Sequence, residues 1–422
     1  MTGAMYASIG GLKSHMQKLS VIGNNVANVN TQGYKKQRTV FRDSVYSSYR
    51  GGSDGTQTVG GRNPSQLGYG SMVGSIDLNM SSSSYNPGNE TDCAIVGDGF
   101  FLVGDKDIAG AIDPNNPDSF KSLSLTRVGD FHQDANGYFV DGTGKCVYGF
   151  MCVNVEEGNP IISDQLVPLR APRLETAVWD LKNETWVEPG QDGTVNPPTG
   201  TEGVDWEYRS RVRRPEYQTT GDGNTASNIF LKDYETPVPE GEIPDPLPPA
   251  RLQSISIDEK TGCITGMVEE TGENIVVGYI AIGSVVNPNG VSHIGSSYYT
   301  AGAGAGDLSV TMMGGVASEL YGVDGRKGSI QYVNGSVRDK YATGPSDGQN
   351  PDAGNDEADS LPEKSRITNT GSELMCGFLE APNTDLAEEI AELITTQRGY
   401  QANTRIITVT DSMLEELVNM KR

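Results

Sequence analysis

The residue types that most often carry chemistry are few in this chain, and their spacing matches no catalytic or metal-binding pattern. There are three histidines, His15, His132 and His293, and none has a second ligand at helical or hairpin spacing. Cys146 and Cys152 stand six positions apart, which does not resemble a zinc knuckle. No Gly-x-Ser-x-Gly or Walker A sequence is present. We therefore predict that the chain is not an enzyme and holds no catalytic residue, cofactor or metal ion.

Two further patterns, a possible calcium-binding loop and the cysteines, also predict no binding site or disulfide framework. Asp105-Lys-Asp107 is followed by Gly110 in the place of an EF-hand glycine, but Asn116 stands where the calcium loop needs its last carboxylate. The cysteines are odd in number and contain no Cys-x-x-Cys pair, so we predict no disulfide framework. They are Cys93, Cys146, Cys152, Cys263 and Cys376.

Composition and charge narrow the class of protein. The 422 residues, with 53 Gly and 22 Pro, favour several small domains built from short strands and turns. The net charge of −23 is opposite to the basic footprint of a nucleic-acid-binding protein, and an anionic membrane surface would repel it. No stretch approaches the length of about 18 apolar residues that membrane insertion needs. The first residues also lack the basic and apolar regions of a cleaved signal peptide.

The first thirty residues carry one apolar stripe. Its steps of three and four residues predict a helix, and Gly10 and Gly11 weaken that helix by roughly 1 kcal/mol each relative to Ala. We therefore expect the helix to need a partner helix. The stripe consists of Met5, Ile9, Leu12, Met16, Leu19, Ile22, Val26 and Val29.

A cluster of amides follows this helix. Asn24, Asn25, Asn28, Asn30 and Gly33 fall within ten residues, and Asn and Gly tolerate the left-handed backbone that ends helices. One interpretation is a helix stop with capping amides. The other is a shaped exit loop that packs against neighbouring subunits, and both can hold together.

The end of the chain predicts a second helix of nearly forty residues. Asn383 or Asp385 can cap its start, and Glu388 follows Asp385 at capping-box spacing. Such a length favours a coiled-coil or bundle partner. Its apolar positions are Leu386, Ile390, Leu393, Tyr400, Ile407, Leu414 and Leu417.

The predicted fold is multidomain and mainly β, with long N- and C-terminal helices paired as a coiled coil around β-rich inner and outer domains. Such an arrangement is typical of a subunit that polymerises. The predicted segments are an N-terminal helix (1–33), an extended connector (34–85), an inner β-domain in two parts (86–154 and 251–371, with an acidic loop at 343–363), an inserted outer module (155–250) and a C-terminal helix (372–422).

Both ends resemble the bacterial flagellar rod and hook axial proteins. The N-terminal motif is Ile22-Gly-Asn-Asn-Val-Ala-Asn-Val-Asn-Thr-Gln-Gly-Tyr-Lys35, and the C-terminal motifs are Asn383-Thr-Asp-Leu and Gln397-Arg-Gly-Tyr-Gln-Ala-Asn403. Ala94-Ile-Val-Gly-Asp-Gly-Phe-Phe101 resembles the inner β-domain of the family. Among the members of this family, hook subunits resemble the chain more than distal rod subunits do. The residues that indicate this are Gln401-Ala-Asn403 and the ending Leu-Val-Asn-Met-Lys-Arg.

The resemblance implies a structural role and no catalysis. It implies a homo-polymer in the form of a hollow helical tube, with rod proteins, hook–filament junction proteins, a hook cap and the type III export apparatus as partners. It also implies an extracellular place in the flagellum, reached without a cleaved signal peptide, and no nucleic acid or membrane insertion. A distal rod subunit and a secreted β-rich adhesin are the alternatives.

The predicted subunit interface combines the two helical stripes with the amides of the terminal motifs. Its residues are Met5, Ile9, Leu12, Met16, Leu19, Ile22, Asn24, Asn25, Val26, Asn28, Leu386, Ile390, Leu393, Gln397, Tyr400, Asn403, Ile407, Leu414 and Leu417.

Overall fold

The structure is a computed structural model. It describes residues 2–55, 58, 60–106, 122–156, 159–163, 166–180, 185–187, 206–214, 216–219, 229–232, 248–306, 308–312, 332–333, 336–337 and 372–420. The predicted acidic loop at 343–363 lies outside them. The chain separates into two compact units. We call Met1–Ser84 with Ala381–Arg422 the helical unit and Tyr85–Glu380 the sheet unit.

The described part of the helical unit contains two helices and two short antiparallel ribbons. β1 (Gln37–Asp43) pairs with β4 (Ser71–Leu78), and β2 (Tyr46–Arg50) pairs with β3 (Ser65–Gly68). These strands occupy the segment predicted to be an extended connector, and most of their residues are exposed. The helices are α1 (Thr2–Ala27) and α2 (Leu386–Asn419).

The helix boundaries follow from their caps. Asp385 caps α2, since its carboxylate accepts hydrogen bonds from the backbone N–H groups of Ala387 at 2.8 Å and Glu388 at 3.4 Å. α1 ends at Ala27, six residues before the predicted boundary, because the chain turns through the amide cluster to Gly33 at φ 65°. That positive φ favours glycine. Among the described residues, neither helix combines the length and apolar character that crossing a bilayer requires.

The sheet unit is built from short strands, with a 3₁₀ turn at Pro288–Gly290. Its first strands are β5 (Tyr85–Pro87), β6 (Cys93–Val96), β7 (Phe100–Gly104), β8 (Ser124–Thr126), β9 (His132–Gln133), β10 (Phe139–Val140), β11 (Cys146–Glu156), β12 (Asn159–Ile162), β13 (Val167–Pro168), β14 (Arg173–Asp180), β15 (Thr185–Val187) and β16 (Trp206–Arg213). The others are β17 (Glu216–Thr219), β18 (Ile229–Lys232), β19 (Leu252–Ile257), β20 (Cys263–Val268), β21 (Asn274–Val285), β22 (Ser292–Gly295), β23 (Tyr298–Thr300), β24 (Leu308–Met312), β25 (Tyr332–Val333), β26 (Ser336–Val337), β27 (Glu373–Cys376) and β28 (Phe378–Glu380).

One antiparallel sheet holds the core of this unit. Within the described residues its main path runs β22-β23-β8-β7-β11-β21-β24-β25-β26. β7 is a continuous apolar run that is buried along its whole length, as expected for a central strand covered on both faces. Phe101 and Phe131 meet edge to face with ring centroids 4.9 Å apart. The described residues are thus mainly β, with one helix towards each end of the chain.

The predicted start of the inserted module at residue 155 is too early. β12 and β13 pair with β11, and Leu169 is fully buried in the main core. The chain instead leaves the main sheet after β13, where its outgoing and returning segments pair. The Leu174 N–H donates to the Pro248 carbonyl and the Ala250 N–H donates to the Pro172 carbonyl, both at 2.9 Å. We therefore propose that the module is inserted between residues 173 and 249.

Replacing residues 175–247 by an Asn-Gly turn should leave the sheet unit folded. The two cut ends already lie side by side as an antiparallel bridge, which a two-residue hairpin turn can close. Circular dichroism and thermal unfolding would measure the outcome. The control deletion of residues 160–248 also removes Leu169, and it should lose cooperative unfolding. Loss of the fold in both deletions would refute the new boundaries.

A buried ion pair connects the start and the end of the sheet unit. β5 pairs with β28 and β6 pairs with β27. Arg127 is 1% exposed, and its guanidinium donates to the carbonyls of Ile95 at 3.2 Å and Gly97 at 2.8 Å. It also lies 3.6 Å from the carboxylate of Glu380, which is equally buried. One side chain thereby joins β6 to β28.

Candidate subunit interface

α1 and α2 pack side by side in opposite directions within one chain. Asn25, near the end of α1, contacts Glu389, near the start of α2. Lys18 forms an ion pair with Glu392 at 2.5 Å. Towards the other end of the pair, Gly11 lies against Asn403. Residue numbers therefore rise along one helix as they fall along the other, which defines an antiparallel pair.

Glycine allows the two helices to approach closely. A Cβ atom on Gly11 would lie 2.8 Å from the side-chain nitrogen of Asn403. A Cβ atom on Gly399 would lie 2.8 Å from the imidazole of His15. Both distances are shorter than real Cβ contacts, so a larger residue at either position would force the Asn403 or His15 side chain to move. Gly11 thus lies at a contact between the two helices, where its lack of a side chain leaves room for Asn403.

Polar residues at every seventh position form the inner face of α2. Glu389, Thr396 and Thr410 are buried, and Asn403 in the same series is half-buried. Ser8, Gly11 and Ser14 are the buried residues in the first half of α1. Gly11 lies against Asn403 of α2, whereas the Ser14 hydroxyl donates to the Ser71 carbonyl of β4 at 3.0 Å. A seven-residue repeat keeps one face of a long helix against its partner. We call this inner face the polar seam.

A hydrogen-bonded cluster closes the seam where the terminal motifs meet. The Asn25 side chain donates to the Gln37 carbonyl at 2.9 Å and to the Glu389 carboxylate at 3.2 Å. In return, its amide oxygen accepts from the Tyr34 hydroxyl and the Gln37 N–H, both at 3.0 Å. Asn25 is 1% exposed, so these bonds replace those it would make with water.

The beginning of the C-terminal motif is held by the same loop. The Lys36 N–H donates to the Asn383 side chain at 2.7 Å, and the Asn383 amide donates to the Asn79 carbonyl at 2.7 Å. The Lys36 ammonium lies 2.8 Å from the Glu388 carboxylate. Asn383 therefore connects the loop that follows α1 to the residue after β4, while Asp385 caps α2.

Burial changes the electrostatics of this cluster. Desolvation raises the pKa of Glu389, although the hydrogen bond from Asn25 and the charge of Lys36 act in the opposite direction. Desolvation and the nearby charge of Glu389 raise the pKa of Tyr34 to about 12. Both groups thus bind a proton more tightly in the folded chain than in the unfolded chain.

Glu389→Gln should raise the free energy of unfolding of the helical unit at about pH 7. A raised folded-state pKa contributes stability at acidic pH that is lost as the pH rises through that pKa. The advantage of the variant over the wild type should therefore disappear on acidification to about pH 3, where the carboxyl is mostly protonated in both states. Urea unfolding at the two pH values measures this difference.

Glu388→Gln is the matched control, since Glu388 lies one residue away and its side chain is 65% exposed. It should change the free energy of unfolding at neutral pH only a little, because an exposed ion pair contributes about 0–1 kcal/mol. A Glu389→Gln variant that is less stable than the wild type at neutral pH would show that the ionised carboxylate stabilises the cluster.

The structure distributes the predicted interface residues over three environments. Ile22 and Asn25 are buried inside the chain. The half-buried residues are Met5, Leu12, Leu19, Val26, Asn28, Leu393, Asn403, Ile407 and Leu414. The exposed residues are Ile9, Met16, Asn24, Leu386, Ile390, Gln397, Tyr400 and Leu417. The predicted stripe thus contributes to the packing of the pair, while about half of it faces outwards.

Sequence reasoning missed both the polar seam and part of the outer surface. The seam is invisible to a search for apolar periodicity, but the seven-residue spacing of Glu389, Thr396, Asn403 and Thr410 is readable in the sequence. The exposed apolar residues that were not predicted are Tyr6, Ile394, Ile406, Val409, Met413, Val418 and Met420. We call all exposed apolar residues of α1 and α2 together the outer apolar surface.

The described residues contain no cluster able to hold a metal ion. Family models match at both ends. Residues 5–35 match the model described as flagella basal body rod protein, and residues 376–420 match that of the flagellar basal body rod FlgEFG protein C-terminal region.

Several curated proteins are similar over the full length of both chains. The flagellar basal-body rod protein FlgG of Bacillus subtilis is 27% identical over 100% of each chain. The flagellar hook proteins FlgE of Borreliella burgdorferi and Treponema pallidum are 26% and 24% identical, also over 100% of each chain. The solved structure of Helicobacter pylori flagellar hook protein FlgE2 is 12% identical, covering 53% of this chain and 95% of that one, with a TM-score of 0.25 that is too low to assign a fold.

These matches confirm the predicted class, a structural protein that is not an enzyme. Both ends of the chain thus match family models of flagellar rod and hook proteins, and full-length relatives named as hook proteins occur in several species.

Proposed function

We propose that copies of this chain polymerise into the hollow, curved tube of the flagellar hook and couple the rod to the filament as a universal joint. The full-length relatives named flagellar hook protein support this assignment. The hook proteins of Rhizobium meliloti and the spirochaetes align along the whole chain, including its middle. The distal rod alternative is weaker, although the Bacillus relative is named a rod protein.

The observation that carries the proposal is the outer apolar surface. Ile390 and Ile394 are 45% and 44% exposed on α2, and Met16 is 57% exposed on α1. Apolar residues repeated along two helices need cover from water, and neighbouring copies can supply it. Contacts between different faces of identical subunits generate an open helical polymer when they do not close into a ring.

Within each copy, we propose that the helix pair acts as a short antiparallel coiled coil. The seven-residue polar seam supports this proposal, because it keeps the same faces of α1 and α2 together over their shared length. The pair then presents its apolar residues in a fixed arrangement. A polar seam also specifies the register of the helices, since misaligned pairs would bury side chains without hydrogen-bond partners.

The similarity to flagellar proteins also suggests a cellular location and binding partners for the subunit. We propose an extracellular position in the flagellum, export through the type III apparatus, and contact with rod proteins, junction proteins and the hook cap. An adhesin receives no support from the relatives, which are flagellar structural proteins.

Removal of either helix should abolish assembly. Variants lacking residues 1–28 or residues 386–422 lose one partner of the pair and a large part of the outer apolar surface. Sedimentation of the purified chains would separate polymer from monomer, with the full chain as the control. Tubes formed efficiently by either truncated chain would refute assembly through the helix pair.

A further inference from the structure

Two cysteines from opposite ends of the sheet unit lie directly across from each other. Cys93 in β6 is the register partner of Cys376 in β27, and their sulfur atoms are 3.7 Å apart. Cys93 is completely buried, whereas Cys376 is partly exposed. The two positions are separated by 283 residues of sequence, so no local motif relates them.

The ladder places this pair at a site suited to a disulfide. The Gly377 N–H donates to the Asp92 carbonyl at 2.8 Å, and the Cys93 N–H donates to the Gly129 carbonyl instead of to Cys376. The cysteines therefore form a non-hydrogen-bonded pair, in which the Cα atoms of antiparallel strands are typically about 4.5 Å apart. Disulfides span Cα separations of about 4.4–6.8 Å, so the strands need not move apart or together.

The two thiols also differ in pKa and in exposure, which determines which of them reacts first with a reagent in solution. The Cys93 thiol donates a hydrogen bond to the sulfur of Cys376, and this bond lowers the pKa of Cys376. The same interaction, together with burial, raises the pKa of Cys93. The partly exposed sulfur is thus the better nucleophile towards a reagent in solution, and the buried one is positioned to follow.

We propose that Cys93 and Cys376 form a disulfide when the folded chain meets a low-molecular-weight disulfide. The Cys376 thiolate attacks one sulfur of the reagent and releases its other half as a thiolate. Cys93 then loses its proton to solvent and attacks the Cys376 sulfur, releasing the second half of the reagent. Two protein thiols are oxidised to one disulfide, and one reagent disulfide is reduced to two thiols.

The bond would close the sheet unit where the chain enters and leaves it. β6 lies close to the first residue of the unit and β27 lies close to its last. A cross-link here ties β6 to β27 covalently, so tension on the two ends of the unit cannot separate these strands. It also restricts the unfolded chain over a loop of 283 residues.

The test uses the full chain and cystamine, a cationic disulfide suited to the acidic side chains of Asp258 and Glu259 beside Cys376. The reduced chain has five free thiols, and titration after treatment should find three. Peptide mapping without reductant should recover the Cys93 and Cys376 peptides linked together. The thermal midpoint of the sheet unit should rise by roughly 5 °C and return after reduction.

Two variants complete the design. Cys376→Ser should keep all its remaining thiols free, whereas Cys263→Ser, changed elsewhere in the unit, should still lose two. A cystamine adduct that persists on Cys376 while Cys93 stays reduced would overturn the proposal. So would a linked peptide that contains any other cysteine, or five thiols that all remain free. Each measurement on the wild-type chain is independent of polymerisation, and therefore of the proposed function.

Discussion

Replacing both Ile390 and Ile394 by Asp should abolish polymerisation and leave the thermal unfolding of the single subunit nearly unchanged. Each side chain is almost half exposed in one copy, so aspartate at these positions remains solvated in the monomer. In the polymer the same positions would be covered by neighbouring subunits. An unpaired carboxylate buried there costs several kcal/mol, which is enough to prevent assembly at ordinary protein concentrations.

The matched control is the double variant Ala391→Asp and Thr395→Asp. It adds the same two charges at the same spacing on the same helix, but on a face that carries exposed polar residues. Its polymers should form with at most a modest loss. Sedimentation and differential scanning calorimetry compare the two variants. Equal loss of assembly in both would mean that charge, and not burial of the isoleucines, is responsible.

Arg127→Met should be the most destabilising single change in the sheet unit. It leaves the Glu380 carboxylate buried without the guanidinium beside it and removes donors to the Ile95 and Gly97 carbonyls. Removal of one partner from a buried ion pair typically costs about 3–5 kcal/mol. Urea unfolding followed by circular dichroism would measure the loss.

The double variant Arg127→Met and Glu380→Gln separates the two causes. If the loss of the guanidinium charge beside Glu380 dominates, the second substitution should restore a large part of the lost stability, because a neutral amide costs less to bury. If the double variant is as unstable as Arg127→Met, the lost hydrogen bonds to β6 carry the effect. A wild-type-like Arg127→Met protein would contradict both accounts.

Local signals predicted the two helices well. The capping residue Asp385 and the apolar steps of the first helix are visible over a few residues, and the structure contains both features. The environment of the same residues was less predictable. Apolar periodicity indicates that a helix has a buried face, but it does not distinguish burial within one copy from burial between copies.

The features that sequence reasoning missed depend on pairing over long distances. Gly11 contacts Asn403, which lies in the other helix and far away in sequence. Asn25 likewise forms a hydrogen bond with Glu389 of the other helix, a partner that the amide cluster alone does not indicate. The start of the inserted module was misplaced for the same reason, since Leu169 joins the main core through strands that a linear pattern does not relate.

Electron microscopy of negatively stained polymer from the purified full-length chain tests the central claim most directly. The proposed function predicts hollow tubes with visible curvature, formed by the chain alone and absent from the Ile390→Asp and Ile394→Asp double variant. Straight, rigid tubes would assign the chain to the distal rod. A folded chain that stays monomeric at every concentration and salt condition tried would contradict assembly through the helix pair.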